Sequence, residues 1–308
     1  MILFIGSSAD RVAPRLLKAL QESSQCFAFV DEDHPFEWKV QCEQLSGSRL
    51  FRIRGGECTG LRPVGAIFVR HAVARTLDTR HLNKMGELQS NLNRMLAFSA
   101  CPVVNPPANS YSNYSKPYQL GLMAKAGFDI PKTLVTNRPP EARRFYLRCG
   151  RQVIFKGVSN IMTFAQLLKP EHLTRLKLLP NSPTLFQEYI PGADYRVHVV
   201  GDKTFCTRLQ ATNEDYRRSA LIENEEINAE SAELPDSVLR RCIGFTRRLG
   251  LVVSGIDFKK SKDGRLAALE LNPYPQFTFY QGRSGQRITE SVVDYLIQNH
   301  VADTNVFA

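Results

Sequence analysis

Long hydrophobic runs are absent from this sequence. No apolar segment approaches the roughly 20 residues that a helix needs to cross a bilayer, and the mean hydropathy is slightly negative at -0.25. We therefore expect a soluble chain that does not associate with membranes. The start, MILFIGSSAD, has neither the basic segment nor the long apolar segment of a signal peptide, which favours a β-strand there.

Paired cysteines are absent too. The seven cysteines are odd in number and scattered along the chain, and none belongs to a Cys-x-x-Cys pair. This pattern argues against a disulfide framework and against a zinc site. It predicts reduced thiols and a cytoplasmic location.

Two common nucleotide-binding loops are missing. The chain contains neither the Gly-x-Gly-x-x-Gly of a dinucleotide site nor the Gly-x-x-x-x-Gly-Lys-Ser/Thr of a P-loop. It also has no internal repeat and no low-complexity tract. Rossmann-type cofactor binding and P-loop chemistry are therefore not supported.

Basic residues outnumber acidic ones. There are 40 lysines and arginines against 30 acidic residues, and the net charge of +10 with a pI near 9.3 implies an acidic partner. Nucleic acid is one such partner, but the basic residues occur as scattered doublets without a helix-turn-helix, zinc-finger or RNA-reading motif. A nucleotide together with a carboxylate-rich substrate satisfies the charge equally well, so nucleic-acid binding is the disfavoured alternative. The sequence leaves a homodimer open.

The apolar pattern alternates between strands and helices. At 308 residues the chain can form two or three lobes, and its opening strand, helix and strand predict a β-α-β unit. Pro106-Pro107 breaks the chain after this first lobe. Strands are predicted at MILFIG, CFAFVD, GAIFVRH, CPVVN, LVT, VIF, TLF, YRVHVV and TFCTRL. Further helices are predicted at Asp78 to Ser99, Tyr114 to Ala126, Pro140 to Cys149 and Pro235 to Leu249.

The segment GIDFKKSKDGRLAALELNPYPQ, residues 255–276, carries the clearest chemical signal. Its apolar runs predict two strands joined by an Asp-Gly turn, the signature of a hairpin. Glu270 and Asn272 are two residues apart and share a face, and the pairing can bring Asp257 alongside them. Carboxylate and amide oxygens are the ligands that hard cations prefer. We therefore predict that Asp257, Glu270 and Asn272 bind Mg²⁺, with Mn²⁺ as an alternative.

A lysine at the end of an apolar strand is a second candidate. Lys156 follows Val153, Ile154 and Phe155. Its compact charge and three donors suit phosphate oxygens in an enclosed cleft. The alternative is a lysine whose stem covers apolar surface while its ammonium reaches water.

These segments resemble the ATP-grasp ligase superfamily. Four stretches correspond in order to its landmarks over about residues 110–297, namely SKPYQLGLMAKAGFDIPKTLVTN, VIFK, LFQEYIPGADYRVHVVGDK and the predicted metal hairpin. The resemblance implies ATP as the nucleotide and an α/β fold of α+β lobes, the ATP-grasp fold with an N-terminal β-α-β lobe. The implied lobes are residues 1–108, 109–190 and 191–308.

The resemblance also implies roles for individual residues around the hinge LFQEYIPG. Backbone groups of the hinge would bind the adenine, an acidic residue just after the hinge would bind the ribose, and a second lysine would bind the phosphates. The corresponding residues are Gln187, Glu188, Tyr189 and Ile190 for adenine, Asp194 for ribose and Lys116 for phosphate. Asp194 equally suits a cap for the following strand.

Arg196 lies two residues after Asp194 on the same strand face. A lone strand arginine is more often at the surface, but the apolar neighbours Val197 and Val199 favour a shielded place. We predict that Arg196 contacts a phosphate or an acyl group. His198 lies between these two valines in the sequence and therefore on the opposite face of the strand, and we predict that it is structural.

A narrower resemblance lies in QATNEDYRRSALIEN, which is similar to the ATP-grasp ligases that cyclise ribosomal peptides, the microviridin or graspetide type. It implies an acidic peptide whose side-chain carboxylate becomes an acyl phosphate and is then joined to an amine or hydroxyl. Arg208 and Arg217 are candidates for steadying the acyl phosphate, and the alternative for each is a solvated basic residue. That branch often has a tryptophan and an Arg-Arg pair in its N-terminal lobe, where this chain has IFVRH.

Two other functions remain open from the sequence. One is an amino-acid or glutamate ligase of the glutathione synthetase-like class, related to the ribosomal-protein glutamate ligases, that acts on a small molecule or a protein tail. The other is a basic nucleic-acid-binding protein. Release of ADP would separate either ligase from the nucleic-acid binder.

Overall fold

The computed structural model describes residues 1–33, 39–45, 48–55, 58–70, 90–94, 96–97, 99–158, 164–210 and 227–301. The strands of these residues form four sheets. Among these residues, no helix is long and apolar enough to span a membrane.

The N-terminal part contains a parallel sheet and a small antiparallel one. The first elements are β1 (Ile2–Gly6), α1 (Ala13–Glu22), β2 (Phe27–Asp31), β3 (Lys39–Leu45), β4 (Ser48–Gly55), β5 (Cys58–Pro63), β6 (Ala66–Arg70) and β7 (Val103–Val104). The parallel sheet has the order β2-β1-β6-β7, and β3-β4-β5 is antiparallel. β1 is buried on both faces, as its unbroken apolar run requires in a parallel sheet. The predicted β-α-β opening is therefore present.

The central part is an antiparallel sheet with helices beside it. After a 3₁₀ helix (Pro107–Tyr114) come α2 (Lys116–Lys125), β8 (Thr133–Thr136), α3 (Pro139–Arg148), β9 (Val153–Lys156), β10 (Gln166–Leu167), a second 3₁₀ helix (Pro170–Asn181) and β11 (Thr184–Glu188). The order is β10-β9-β11-β8, and neighbouring strands are antiparallel. α3 buries Ala142, Phe145 and Tyr146 against the sheet core.

The C-terminal part is built on a five-stranded sheet. Its elements are β12 (Gly192–Val200), β13 (Lys203–Gln210), β14 (Asn228–Ser231), α4 (Asp236–Arg248), β15 (Val253–Ser261), β16 (Leu266–Asn272), α5 (Phe277–Ser284) and α6 (Ile288–Gln298). The strand order is β14-β13-β12-β15-β16, all antiparallel. Alternation gives this sheet two different faces. One packs Val197, Ile256 and Leu271 against α4, and the other carries Arg196, Asp257 and Glu270.

A buried asparagine joins the N-terminal lobe to the C-terminal sheet. The Asn105 side chain donates from Nδ2 to the carbonyls of Val253, at 2.7 Å, and of Pro273. Its Oδ1 accepts the backbone N–H groups of Val252 at 3.0 Å and Val253 at 2.9 Å. Asn105 has a φ of 57°, a left-handed conformation that asparagine adopts more readily than most residues. One side chain thus satisfies four backbone groups beside the strand that leads to Asp257.

Most of the predicted elements are present within one or two residues of their expected ends. The predicted helix Tyr114 to Ala126 begins later, at Lys116, because the preceding turn is 3₁₀. The predicted helix Asp78 to Ser99 lies mostly outside the described residues, which include helical positions 90–94 and 96. The limits proposed for the three lobes remain a prediction.

Candidate active site

A cleft of about 620 Å³, open to solvent, lies between the central sheet and the C-terminal sheet. Strands β9 and β11 supply residues on one side, and β12, β15 and β16 supply residues on the other. Its lining is Ile154, Lys156, Ala165, Gln187, Glu188, Tyr189, Ile190, Asp194, Tyr195, Asp257, Lys259, Leu269 and Glu270. Eight of the predicted site residues are therefore gathered in one place.

A β-bulge on β16 sets the two carboxylates side by side. From the turn the hairpin pairs Lys259 with Ala267 and Phe258 with Ala268, but the next pair is Asp257 with Glu270. Leu269 is the extra residue. If Leu269 were paired in a continuous register, it would lie opposite Asp257, and Glu270 would lie on the other face of the sheet. The bulge therefore creates the predicted pair, and both residues are buried.

Arg196 is bonded to one of these carboxylates. Its Nη1 donates to Asp257 Oδ1 at 2.6 Å, and both side chains are less than 10 % exposed. Asn272 shares the face of Glu270 and pairs with Gly255, but it does not line the cleft, and its Oδ1 accepts the Tyr274 N–H at 2.8 Å. Of the three predicted metal ligands, Asp257 and Glu270 are therefore adjacent carboxylates in the cleft, and Asn272 does not line it.

Two lysines line the cleft. Lys156 ends β9 opposite Leu185 and is buried, as expected for a lysine that follows an apolar strand. Lys259 was not predicted as a site residue. Its Nζ donates to Asp194 Oδ2 at 2.7 Å, and both side chains are about nine-tenths buried. Asp194, predicted for ribose, therefore lies in the cleft in an ion pair.

The hinge residues are held by the central sheet and by Arg265. The Glu188 N–H donates to the Lys132 carbonyl at 2.8 Å, and the Tyr189 N–H donates to the Gln152 carbonyl at 3.0 Å. Arg265 donates to Glu188 Oε1 at 3.1 Å and to Asp129 Oδ2 at 2.7 Å. The Glu188 carboxylate thus links β11 to the hairpin turn.

Gln187 is buried, and its Nε2 donates to Thr133 Oγ1 at 3.1 Å. Ile190, also buried, lines the cleft. Two of the backbone donors in the predicted adenine segment, those of Glu188 and Tyr189, are therefore engaged within the protein.

Two further predicted residues, Arg208 and Lys116, do not line the cleft. Arg208 faces Tyr195, on the sheet face opposite to Arg196, and is 44 % exposed beside Glu230 at 3.4 Å. Its position in the alternation of β13 turns it away from Asp257. Lys116 is buried at the start of α2 but does not line the cleft. Arg217 lies outside the described residues.

The family-level comparison identifies the family of the fold. Residues 114–296 match the model described as the RimK-like ATP-grasp domain, which is more than half of the chain. The chain belongs to this family. The resemblance and the fold class predicted from the sequence are thereby confirmed.

Curated relatives match over part of the chain. A "Probable alpha-L-glutamate ligase" of Xanthomonas oryzae pv. oryzae is 29% identical over 189 residues, 58% of this chain and 62% of the relative. A protein of the same name from Xanthomonas euvesicatoria pv. vesicatoria is 28% identical over 217 residues, 67% of this chain and 72% of the relative. The chain thus spans about 62% of the length of the first of these relatives.

Solved structures match over nearly the whole chain. The ATP-grasp ligase PsnB in complex with a minimal precursor has a TM-score of 0.80 at 26% identity, covering 97% of this chain and 98% of PsnB. The macrocyclase MdnC of Microcystis aeruginosa MRC, bound with precursor peptide MdnA, has a TM-score of 0.79 at 21% identity, covering 97% and 99%. The second likeness supports the fold alone.

His198 occupies the same face as Arg196 in this ATP-grasp sheet. Its side chain is fully buried, its ring lies 4.7 Å from that of Tyr280, and neither ring nitrogen has a hydrogen-bond partner among the residues described. Burial, and then the charge of Arg196, lower the pKa of His198 well below its usual 6.5. The ring is therefore neutral and packed, as expected for a structural residue.

The lowered pKa of His198 predicts sensitivity to acid. The unfolded chain binds this proton more tightly than the folded chain, so stability falls as pH drops below the unfolded pKa of about 6.5, by up to about 1.4 kcal/mol per pH unit. We expect the free energy of unfolding in urea to fall more between about pH 7 and about pH 5 in the wild type than in His198→Leu. Equal pH dependence in the two proteins would contradict a buried neutral ring.

Proposed function

We propose that this chain is an ATP-dependent, ADP-forming carboxylate ligase that acts on a peptide. The observation that carries the proposal is the Asp257–Glu270 pair, which faces a cleft also lined by Lys156 and Lys259. Phosphoryl transfer needs charge neutralisation and alignment more than it needs a covalent protein group. A cleft with fixed cations and adjacent carboxylates supplies both requirements.

The residues present fit a magnesium ion. Asp257 and Glu270 bring buried carboxylates together at neighbouring strand positions, and Asn272 follows on the same face. No group of three or more His, Cys, Asp or Glu that could hold a metal occurs among the described residues, but Mg²⁺ commonly takes one or two carboxylates and completes its shell with phosphates and water. Arg196 uses Oδ1 of Asp257, and a carboxylate has a second oxygen for a metal. Bound Mg²⁺ would neutralise phosphate charge.

The chain's own residues would then align the reactants. Lys156 and Lys259 would contact phosphate oxygens, and Arg196 would hold Asp257 and contact the acyl group. The γ-phosphoryl group would pass to a substrate carboxylate oxygen, releasing ADP and leaving an acyl phosphate. An amine or hydroxyl would attack its carbonyl carbon, lose its proton and expel phosphate, giving an amide or an ester. No serine or cysteine nucleophile is required.

The hinge would bind the nucleoside. Because the Glu188 and Tyr189 N–H groups already bond within the protein, recognition of the adenine edge falls to the Ile190 backbone and to the carbonyls of this segment. The buried side chains of Gln187 and Ile190 would form the wall of that pocket. Asp194, held by Lys259 at 2.7 Å, would accept a ribose hydroxyl.

A peptide substrate is supported by two observations. PsnB, which matches over 97% of this chain, was solved with a precursor, and the net charge of +10 suits an acidic peptide. The second candidate is addition of glutamate, because the curated relatives are named alpha-L-glutamate ligases. Both candidates share the acyl-phosphate step and differ in the product.

The mass of the product tests the proposal. The chain would be incubated with ATP, Mg²⁺ and an acidic synthetic peptide that also contains lysine, serine and threonine, with and without L-glutamate. We expect the peptide to lose one water per bond formed, with one ADP for each. A peptide that gains a glutamate residue would favour the second candidate. Release of AMP, or no ADP with either acceptor, would overturn the ligase proposal.

A further inference from the structure

Arg196 is held in a narrow slot. Its guanidinium bonds to Asp257 at 2.6 Å, and its Cζ lies 5.6 Å from the centre of the Tyr280 ring. The side chain is only 4 % exposed. The partner strand supplies the remaining wall of the slot, and the residue there is Gly255.

Gly255 provides space that no other residue would leave. A Cβ built on Gly255 would lie 2.4 Å from Arg196 Nη2, 2.6 Å from Nε and 2.7 Å from Cζ. All three distances are below 3.0 Å, which real Cβ atoms essentially never show. The guanidinium therefore lies directly against the backbone of β15.

The register explains why the contact falls on this residue. Arg196 is opposite Asp257, and His198 is opposite Gly255. The Arg196 side chain therefore extends along the strand and lies against Gly255, its diagonal neighbour on β15. The backbone at Gly255 does not require glycine, because this residue is not among the positive-φ glycines. What glycine supplies is room for the guanidinium.

Arg196 has little freedom to move elsewhere. Tyr280 lies over the guanidinium, and the buried ring of His198 follows on the same strand face. A Cβ at residue 255 would therefore push the guanidinium off Asp257, since both flanking positions are filled by packed rings.

We propose that Gly255 is a positioning residue that fixes the Arg196–Asp257 pair at the edge of the cleft. This inference rests on the proposed function for its catalytic consequence. Gly255 would act only through Arg196. With Arg196 displaced, Asp257 loses the partner that orients its carboxylate beside Glu270.

The first test is a double-mutant cycle on stability. Gly255→Ala should lower the denaturation midpoint of the wild type, because the methyl group collides with the guanidinium. In an Arg196→Ala background the same change should not lower the midpoint, because the collision is gone. Gly244→Ala is the matched control: it adds a methyl group on α4 where nothing lies within 4 Å. Equal effects of Gly255→Ala in both backgrounds would overturn the inference.

The second test is turnover. Gly255→Ala should reduce kcat by about 10²-fold, the usual scale of a 1 Å misplacement of a reacting group, with a smaller change in KM for ATP. Arg196→Ala combined with Gly255→Ala should be no slower than Arg196→Ala alone. Wild-type turnover in Gly255→Ala would overturn the positioning role. If the wild type forms no ADP, the ligase function fails together with the catalytic half of this inference, while the stability cycle still decides how Arg196 is held.

Discussion

Glu270→Gln should reduce ligase turnover by at least about 100-fold, because even outer-shell partners of a metal contribute about 10–100-fold and Glu270 would be a direct ligand. The change removes one negative charge from the carboxylate pair and keeps the side-chain volume. ADP release at saturating Mg²⁺ is the measurement. The circular dichroism spectrum should remain that of the wild type, since Glu270 lies at a cleft and not within an apolar core.

Glu230→Gln is the matched control. Glu230 is a carboxylate on the same sheet, but it is 49 % exposed, lies on the edge strand β14 and pairs with Arg208. We expect this variant to keep the wild-type rate. If the turnover of Glu270→Gln stays within a few-fold of the wild-type rate, Glu270 is not a ligand of the proposed metal site, whatever the behaviour of the control.

Asn105→Ala should lower the free energy of unfolding by at least about 3 kcal/mol. The substitution removes four hydrogen bonds to backbone groups beside β15, and each buried group left unsatisfied costs about 1–3 kcal/mol. Alanine also pays about 1–2 kcal/mol for the left-handed conformation. Chemical denaturation gives the value directly.

Two further variants separate the sources of this effect. Asn105→Gly removes the side chain without the conformational strain, so it should recover part of the loss and no more. Asn109→Ala removes a single exposed hydrogen bond to Gly250, and we expect a loss within about 1.5 kcal/mol. A mild effect of both Asn105 variants would mean that the two lobes are joined mainly by other contacts.

The fold was largely accessible from the sequence because its signals are local. Apolar runs, an Asp-Gly turn and proline breaks fix the strands and helices near their observed ends. The identity of Lys156 as a buried lysine also followed from the three apolar residues before it. These predictions needed no knowledge of which strands pair.

The positions of the other site residues depended on pairing, which the sequence shows less clearly. Lys259 lies two residues after Asp257 on β15, so alternation alone places it on the same face. Arg208 shares the face of Tyr195, and that face follows from the register of β13 with β12, which the sequence does not show. Alternation along one strand is visible in a sequence, whereas the partner of each residue is not.

The β-bulge also bears on how related sequences should be aligned. Leu269 is the extra residue of the bulge. In a chain without Leu269, the pairing on the turn side would continue unbroken, and the residue that corresponds to Glu270 would still lie opposite Asp257. Family members can therefore carry the same two carboxylates on final strands that differ in length by one residue. A single-residue gap at this point is expected to leave the pair intact, and a shifted aspartate or glutamate in an alignment there need not indicate a lost site.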